Sequence, residues 1–212
     1  MAIAPLFLSV LLAFSSTLAF AHDRVGEKAV YKLDRSRNRT TALIQSGVVD
    51  MSIKEHIPDH AQGDSLKVSY NYNLSIMFSG QEKGSGDLIL LSQYFTPEFL
   101  EKVRSGEMVS TDHFKIKYLG SEDVTIKGKT YTQCDLVQIY DVNLPKLNDD
   151  PTMVKLLAAL TSSSTQNLAD VEQLAIKAAI KHGEIPVLGA VKIDVDAVVR
   201  GMKVRAGFDY AP

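Results

Sequence analysis

The clearest pattern in the chain is an alternation of apolar and polar residues in one long segment. Apolar side chains occupy every second position there: Leu66, Val68, Tyr70, Tyr72, Leu74, Ile76 and Phe78. Because successive side chains of a strand point to opposite faces of a sheet, a period of two predicts a strand with one buried face. The segment is about twice as long as a usual strand, and strands of that length are typical of strongly twisted, curved sheets.

Shorter segments that alternate in the same way, or are rich in β-forming residues, surround this long strand. They cover residues 28–33, 41–46, 48–57, 87–92, 114–118, 124–126, 130–142, 191–195 and 204–210. The glycine-rich residues 80–86 predict a turn, residues 127–129 predict the turn of a hairpin, and Gly47 predicts a bulge or a turn. Short turns between consecutive strands predict an antiparallel sheet.

Three segments carry the signals of helices. Thr96 is a suitable N-cap for a helix that begins at Pro97 and ends before Gly106. A second helix opens at Asp150 in the same way, and a third is predicted over residues 167–182, with acidic residues near its start and basic residues near its end. The apolar stripes of these two helices are Val154, Leu157 and Leu160, then Leu168, Val171, Leu174, Ala175 and Ala178.

Helices with one apolar face beside a long one-faced sheet predict the α+β class. We expect a long, curved antiparallel sheet, similar to a half-barrel, with about three helices packed on its concave side. Residues 22–212 have the length of one β-rich domain, and the helical signals form an insertion around residues 150–182.

The first 21 residues have the features of a secretory signal peptide. They carry no charged side chain, an apolar core runs over residues 6–14, and small residues stand at Ala19 and Ala21. Cleavage after Ala21 would place the protein in the periplasm or outside the cell. A membrane anchor is the alternative, but hydroxyl residues interrupt the run and basic flanks are missing. No later apolar run approaches the ~20 residues of a membrane-spanning helix.

Charge and cysteine content exclude several classes of function. A net charge of −2 lacks the positive balance that nucleic-acid binding needs. Cys134 is the single cysteine, which excludes an intrachain disulfide and a zinc site built from cysteine pairs. Its position within a predicted strand favours a buried, inert thiol. Since no catalytic constellation and no cofactor motif is found, we expect a protein that is not an enzyme.

Histidines offer two candidate metal sites, each with a simpler interpretation. If Ala21 is the cleavage point, His22 becomes the mature N-terminus, where its amine and imidazole could bind copper with a second histidine. His56 and His60 have a spacing that would place both imidazoles on one face of a helix, but Pro58 lies between them. Solvated ends and loops explain all three histidines, so no metal site is assigned.

Two stretches resemble a pattern of exported bacterial proteins of unknown function. They are VGEKAVY at residues 25–31 and YLGSEDVTIKGKTY at residues 118–131. These proteins are similar to the periplasmic lipoprotein carriers, half-barrels in which a curved antiparallel sheet holds acyl chains under helices. The resemblance implies the same kind of fold and an apolar ligand, and it supplies no site residue.

Two functions fit these observations. The first is an exported, non-enzymatic binding or carrier module for an apolar, lipid-like ligand, because a long curved sheet has more inner face than a short helix can cover. The second is a structural or interaction domain of the cell envelope, in which the same side chains fill a core. The candidate ligand-binding residues are Tyr70, Tyr72, Leu74, Ile76 and Phe78.

Overall fold

The computed structural model describes residues 24–33, 44–58, 65–76, 80–91, 97–111, 114–141, 171–181, 184–187, 189–199 and 201–212. Several predictions lie outside these residues and stay predictions. They concern the signal peptide, His22, His60, Phe78 and the helix that opens at Asp150.

A single antiparallel sheet of ten strands dominates the described residues. In chain order, its strands and the one described helix are β1 Lys28–Leu33, β2 Ile44–Ile57, β3 Ser65–Ile76, β4 Gly80–Leu91, α1 Pro97–Arg104, β5 Val109–Ser110, β6 Lys115–Ile126, β7 Lys129–Tyr140, β8 Val171–Ile180, β9 Ala190–Val199 and β10 Met202–Tyr210. The spatial order is β4-β3-β2-β1-β10-β9-β8-β7-β6-β5, which leaves β4 and β5 as the two edges of an open sheet. No helix in the described part of the chain is long and apolar enough to cross a membrane.

The first and last strands join two meanders into this one sheet. β1 pairs with β10, with Tyr31 opposite Tyr210 and Leu33 opposite Phe208. The Ala211 amide extends the pairing by donating to the Val30 carbonyl at 2.8 Å. Residues from the two ends of the chain are therefore neighbours at the middle of the sheet.

The predicted α+β class with about three helices is wrong, and β8 is the clearest correction. Residues 171–180 of the predicted third helix form a strand between β7 and β9. Leu174 and Ala178 fit both a helical stripe and a period of two, but the most deeply buried position, Ile176, fits only the strand. The strand outweighs the local helix signals, because between β7 and β9 it buries Leu174, Ile176 and Ala178 together on one face.

Most of the other local predictions are confirmed, and one turn is wrong. The long strand is present as β3, and α1 lies where Thr96-Pro97 and Gly106 place it. A two-residue turn joins β6 to β7, with Lys127 and Gly128 at φ 49° and 86°. Gly47 lies within β2, next to a bulge. The predicted turn over residues 80–86 is instead the first half of β4.

One side of the sheet, which we call the inner face, carries buried apolar side chains on nine of the ten described strands, all but β4, whose side chains are only partly described. The register places its side chains on one side, and all of them are buried. They are Leu66, Val68, Tyr70, Tyr72 and Leu74 of β3; Val49, Met51 and Ile53 of β2; Ala29, Tyr31 and Leu33 of β1; Phe208 of β10; Ile193, Val195 and Ala197 of β9; Leu174, Ile176 and Ala178 of β8; Val137 and Ile139 of β7; Ile116 of β6; and Val109 of β5. The outward positions of the same strands are largely polar, as at Lys192, Asp194 and Asp196 of β9.

The β6–β7 hairpin departs from a regular ladder at two bulges. Bulges interrupt the pairing of these strands beside Gly120 and Val124, and Gly120 and Gln133 have positive φ values of 124° and 53°. Beyond the bulges, the hairpin joins one buried cluster with residues of β8, β9 and the loop between them. Its members are Val124, Ile126, Tyr131, Cys134, Ala179, Ile185 and Val191, with Leu136 and Tyr210 packed against them.

Candidate functional site

Three of the five predicted ligand-binding residues lie together on the inner face. Tyr70, Tyr72 and Leu74 project from β3 and are 1%, 5% and 0% exposed. Ile76 is the last residue of β3, paired with Gly80, and its side chain is outside the described set. Phe78 is also outside the described residues. The alternation thus groups these residues correctly, but the three described side chains are packed rather than open to solvent.

The two tyrosines of β3 pack across the glycines of the edge strand. Tyr70 pairs with Gly86 and Tyr72 with Gly84. A Cβ atom at Gly86 would lie 2.5 Å from the Tyr70 hydroxyl oxygen, and one at Gly84 would overlap the Tyr72 ring. The rings therefore take the space of the missing side chains, a packing of aromatic residues over glycine that stabilises sheet edges. The glycines of this segment therefore mark a strand whose backbone is closely approached by neighbouring side chains, and not a turn.

Three other tyrosines, which we call the tyrosine cluster, lie on β1, β7 and β10: Tyr31, Tyr131 and Tyr210. Tyr31 and Tyr210 stand opposite each other on β1 and β10, with ring centroids 6.0 Å apart and planes at 60°. Tyr131 lies on β7, in the buried cluster against which Tyr210 packs. Tyr210 therefore packs both against Tyr31 and against the cluster that contains Tyr131.

The hydroxyl groups of two cluster residues are buried and make no hydrogen bond. They belong to Tyr31 and Tyr131, whose side chains are 1% and 2% exposed. Burial raises the pKa of Tyr31 well above its ordinary value, and the adjacent Tyr210 raises it further. The Ala190 amide approaches the Tyr31 oxygen without reaching hydrogen-bond geometry and offsets part of this pKa rise. The Tyr31 hydroxyl therefore keeps its proton at neutral pH.

The loop between β8 and β9 is fastened beside the tyrosine cluster by the segment that precedes β1. Glu27 accepts a hydrogen bond from the Val187 amide at 2.8 Å, and Arg24 donates to the Val187 carbonyl at 2.9 Å. Arg24 also forms a salt bridge of 2.9 Å with Glu27. Val187 has a φ of 61° and is buried, while Ile185 of the same loop belongs to the cluster around Tyr131. The described part of this loop is therefore held between the segment before β1 and the cluster that contains Tyr131.

The cysteine and histidine predictions have separate outcomes. Cys134 is buried, which confirms its prediction, and burial raises the pKa of its thiol. Its sulfur lies 3.3 Å from the Tyr131 carbonyl oxygen, to which the thiol donates. His56 is half-buried at the end of β2. Within the described ranges, no three His, Cys, Asp or Glu residues are grouped so that they could hold a metal ion.

A surface groove of about 280 Å³ lies between β6 and the strands β9 and β10. It differs in character from the predicted apolar pocket, because most of its lining is polar. Its residues are Glu122, Asp123, Val124, Thr125, Ile126, Lys192 and Asp209. The groove lies on the solvent side of Val124 and Ile126, whose side chains belong to the buried cluster.

The sequence prediction of the site missed the tyrosine cluster. Its residues lie far apart in the chain; β1 pairs with β10, and Tyr210 of β10 packs against the cluster that contains Tyr131 of the β6–β7 hairpin. Alternation within β1 and β10 does indicate that Tyr31 and Tyr210 face one side, but no local pattern shows that Tyr131 joins them. No protein-family model matches the chain, and no curated protein was found to match it.

Proposed function

We propose that the protein is an exported, non-enzymatic module that binds an apolar, lipid-like ligand on the inner face of its sheet. The observation that carries this proposal is the continuous apolar surface that runs from β3 to β5. All of its named side chains are buried, so the proposal places an acyl chain among them, within the core, and not on an open surface. In the described part of the chain, the one helix, α1, packs chiefly on β6, near one edge.

The energetics of burial support an acyl chain as the occupant. Apolar surface withdrawn from water contributes about 25 cal/mol per Å², and each CH₂ group of a lipid chain contributes about 0.8 kcal/mol when it is buried. A chain laid along the inner face would exchange its own hydration for contacts with Ile176, Ile193, Val195 and their neighbours. In this proposal Tyr70, Tyr72 and Leu74, with Ile76 and Phe78, form the wall at the β4 edge.

Export is part of the proposal, because a signal peptide would deliver the protein to a compartment where lipids must cross water. The intact mass of the secreted protein should be that of a chain beginning at His22. A secreted protein that retained residues 1–21 would contradict this part.

A ligand-free interaction domain of the envelope is the second candidate, and one observation favours it. Tyr70 and Leu74 are 1% and 0% exposed, as in a filled core. In that case, the packing of the tyrosine rings over Gly86 and Gly84 stabilises the edge strand and has no role in binding.

Native mass spectrometry of gently purified protein separates the two candidates. Binding of a lipid-like ligand predicts a co-purifying mass of a fatty acid or lipid, and saturable uptake of a fluorescent fatty acid by the delipidated protein. An apo mass in every preparation, without fatty-acid uptake, would contradict the carrier and leave the interaction domain.

A matched pair of variants locates the binding surface. Val195→Thr adds a hydroxyl to the inner face at nearly constant volume, whereas Val198→Thr makes the same change on the outward side of the same strand. We expect fatty-acid affinity to fall several-fold in the first variant, because a hydroxyl there is costly to desolvate, and to stay unchanged in the second. Thermal melts of both variants show whether the fold is intact.

A further inference from the structure

We propose that β4 is a docking edge for β4 of a second copy of this chain, so that two sheets join across a twofold axis at Ser85. The partner strand would run antiparallel and extend the ten-stranded sheet of each copy. The dimer would form whether or not the inner face holds a lipid.

The two edges of the sheet differ in how well they are protected against pairing with another strand. β5 has two residues, and the strand beside it, β6, is interrupted by bulges. Short strands and bulges are devices that keep an edge from pairing. β4 has twelve residues, contains no proline, and pairs with β3 from Gly80 to Leu91 without a register shift. Among the described strands, β4 is therefore the edge that presents a long, regular row of backbone groups to a partner.

The geometry of antiparallel pairing limits the possible registers. Residues directly opposite each other in such a pair project to the same face of the sheet. In two identical strands related by a twofold axis, an odd-numbered residue therefore opposes an odd-numbered one, and one residue must lie on the axis. An axis at Ser85 pairs residues 80–90 of both copies, which is nearly the whole strand.

Charge selects this register among its neighbours. With Ser85 on the axis, Lys83 of each copy stands opposite Asp87 of the other, so two pairs of opposite charges form. An axis at Lys83 or at Asp87 would instead place like charges directly opposite each other, which destabilises a strand pair. An axis at Gly84 or at Gly86 would bring no two charged residues opposite each other. The sequence of β4 is thus complementary to itself in one register.

The two charged residues are accessible and suited to this contact. Lys83 is exposed, and the Asp87 side chain is 48% exposed. The Ser69 hydroxyl donates to Oδ1 of Asp87, and the Lys67 ammonium group lies 3.1 Å from its Oδ2 atom. Both contacts lower the pKa of the Asp87 carboxyl, so it is ionised at neutral pH and held in one position. A carboxylate has lone pairs for a further donor, such as Lys83 of the second copy.

Cysteine cross-linking tests the register on the mature protein. Opposite residues of an antiparallel pair have Cα atoms about 4.5–5.5 Å apart, which is within the range of a disulfide. Ser85→Cys should therefore give a reducible dimer when copper phenanthroline is added as the oxidant. Gln81→Cys is the matched control, because Gln81 is also exposed but its two copies would lie about 27 Å apart along the strands. The native Cys134 is buried and should not react.

Sedimentation equilibrium measures the dimer without a cross-link. We expect the wild type to dimerise, and Lys83→Glu to weaken the dimer at least about tenfold, because each pair of opposite charges becomes a pair of like charges. Lys28→Glu makes the same change of charge on β1, in the interior of the sheet, and should leave the dimer unchanged. Thermal melts of both variants show whether the fold is intact.

Three results would overturn the β4 dimer. They are a wild type that stays monomeric at millimolar concentration, cross-linking through Gln81→Cys that equals that through Ser85→Cys, and a dimer that Lys83→Glu leaves intact. Cross-linking confined to Ser85→Cys, together with dissociation of the Lys83→Glu variant, would support it.

Discussion

The residues opposite Gly84 and Gly86 of the edge strand explain why glycine is found at these two positions. Tyr70 and Tyr72 extend across β4 in the positions that side chains at Gly86 and Gly84 would fill. The conformation of neither glycine requires a positive φ, so the constraint is space rather than backbone freedom. Each tyrosine ring therefore packs directly over the glycine opposite it, in the space that a side chain there would need.

Substitution of Gly86 should expose this constraint. Gly86→Ala places a methyl group against the Tyr70 ring, and overpacking of this kind costs about 1–3 kcal/mol of unfolding free energy. Urea unfolding measures the change. The double variant Gly86→Ala with Tyr70→Phe should recover part of the loss, because the closest clashing atom is gone. Ser85→Ala, at the exposed position between the two glycines, should change stability little, and an equal loss there would contradict the account.

Buried ionisable groups predict a loss of stability in alkali. Tyr31 and Cys134 have pKa values raised by burial above their ordinary 10.0 and 9.0. In the unfolded chain they lose their protons near the ordinary values, while the folded protein retains them. The free energy of unfolding is therefore unaffected by them below about pH 9 and falls as pH rises above it.

Urea unfolding at pH 8, 9 and 10 measures this alkaline slope. Tyr31→Phe and Cys134→Ala should each make the slope shallower, because each removes a group that ionises only on unfolding. A slope that is the same in the wild type and in both variants would show that other groups cause it.

At the scale of elements, β8 separates local sequence preference from sheet pairing. A helix over residues 167–182 would bury Ala175 and leave Ile176 at the margin of its stripe. The strand does the opposite, with Ile176 on the inner face and Ala175 on the outer side, opposite Asp196. The relative burial of these two adjacent residues therefore distinguishes a strand from a helix.

Substitutions at these adjacent positions should have unequal effects. Ile176→Ala should cost about 2–5 kcal/mol of unfolding free energy, as for other large-to-small changes in a core. Ala175→Gln should cost no more than about 0.5 kcal/mol, as is usual for surface positions. Chemical denaturation of both variants makes the comparison, and a larger loss at Ala175 than at Ile176 would favour the helix.

Elements whose signals are local could be predicted from the sequence, and elements decided by distant partners could not. The two-residue turn at Lys127-Gly128 and the start of α1 at Pro97 follow from nearby residues alone. The glycines of β4 indicated a turn because the tyrosines that cover them lie on another strand. For the candidate site, alternation correctly placed Tyr70, Tyr72 and Leu74 on one buried face. The tyrosine cluster needed the pairing of the chain's first and last strands.

At the scale of the whole molecule, the sheet is held together at a seam formed by the two ends of the chain. Among the described strands, the pairing of β1 with β10 joins the β1–β4 meander to the strands from β5 to β10. Arg24 and Glu27, just before β1, add a second connection by holding Val187 in the loop between β8 and β9. This connection links the residues just before β1 to the loop between β8 and β9.

Removal of the Glu27 carboxylate should weaken that connection. Glu27→Ala leaves the Val187 amide without its acceptor and the Arg24 guanidinium without its carboxylate, at a cost of about 1–3 kcal/mol. Thermal or urea unfolding measures the loss. Asp196→Ala is the control, since it removes a salt bridge with Arg205 whose side chains are 52% and 56% exposed, and such pairs contribute ~0–1 kcal/mol. Equal losses in the two variants would contradict a specific role for Glu27.

The claim that the inner face holds an acyl chain is tested most directly by photo-crosslinking. A monoacylglycerol with a diazirine in its acyl chain would be bound to the purified mature protein, irradiated, and located by peptide mass spectrometry. We expect insertion at inner-face residues of β8 and β9, such as Ile176, Ile193 and Val195, and competition by unlabelled mono-olein. Label confined to outward residues such as Lys177 and Asp194, or no label that mono-olein displaces, would contradict the claim.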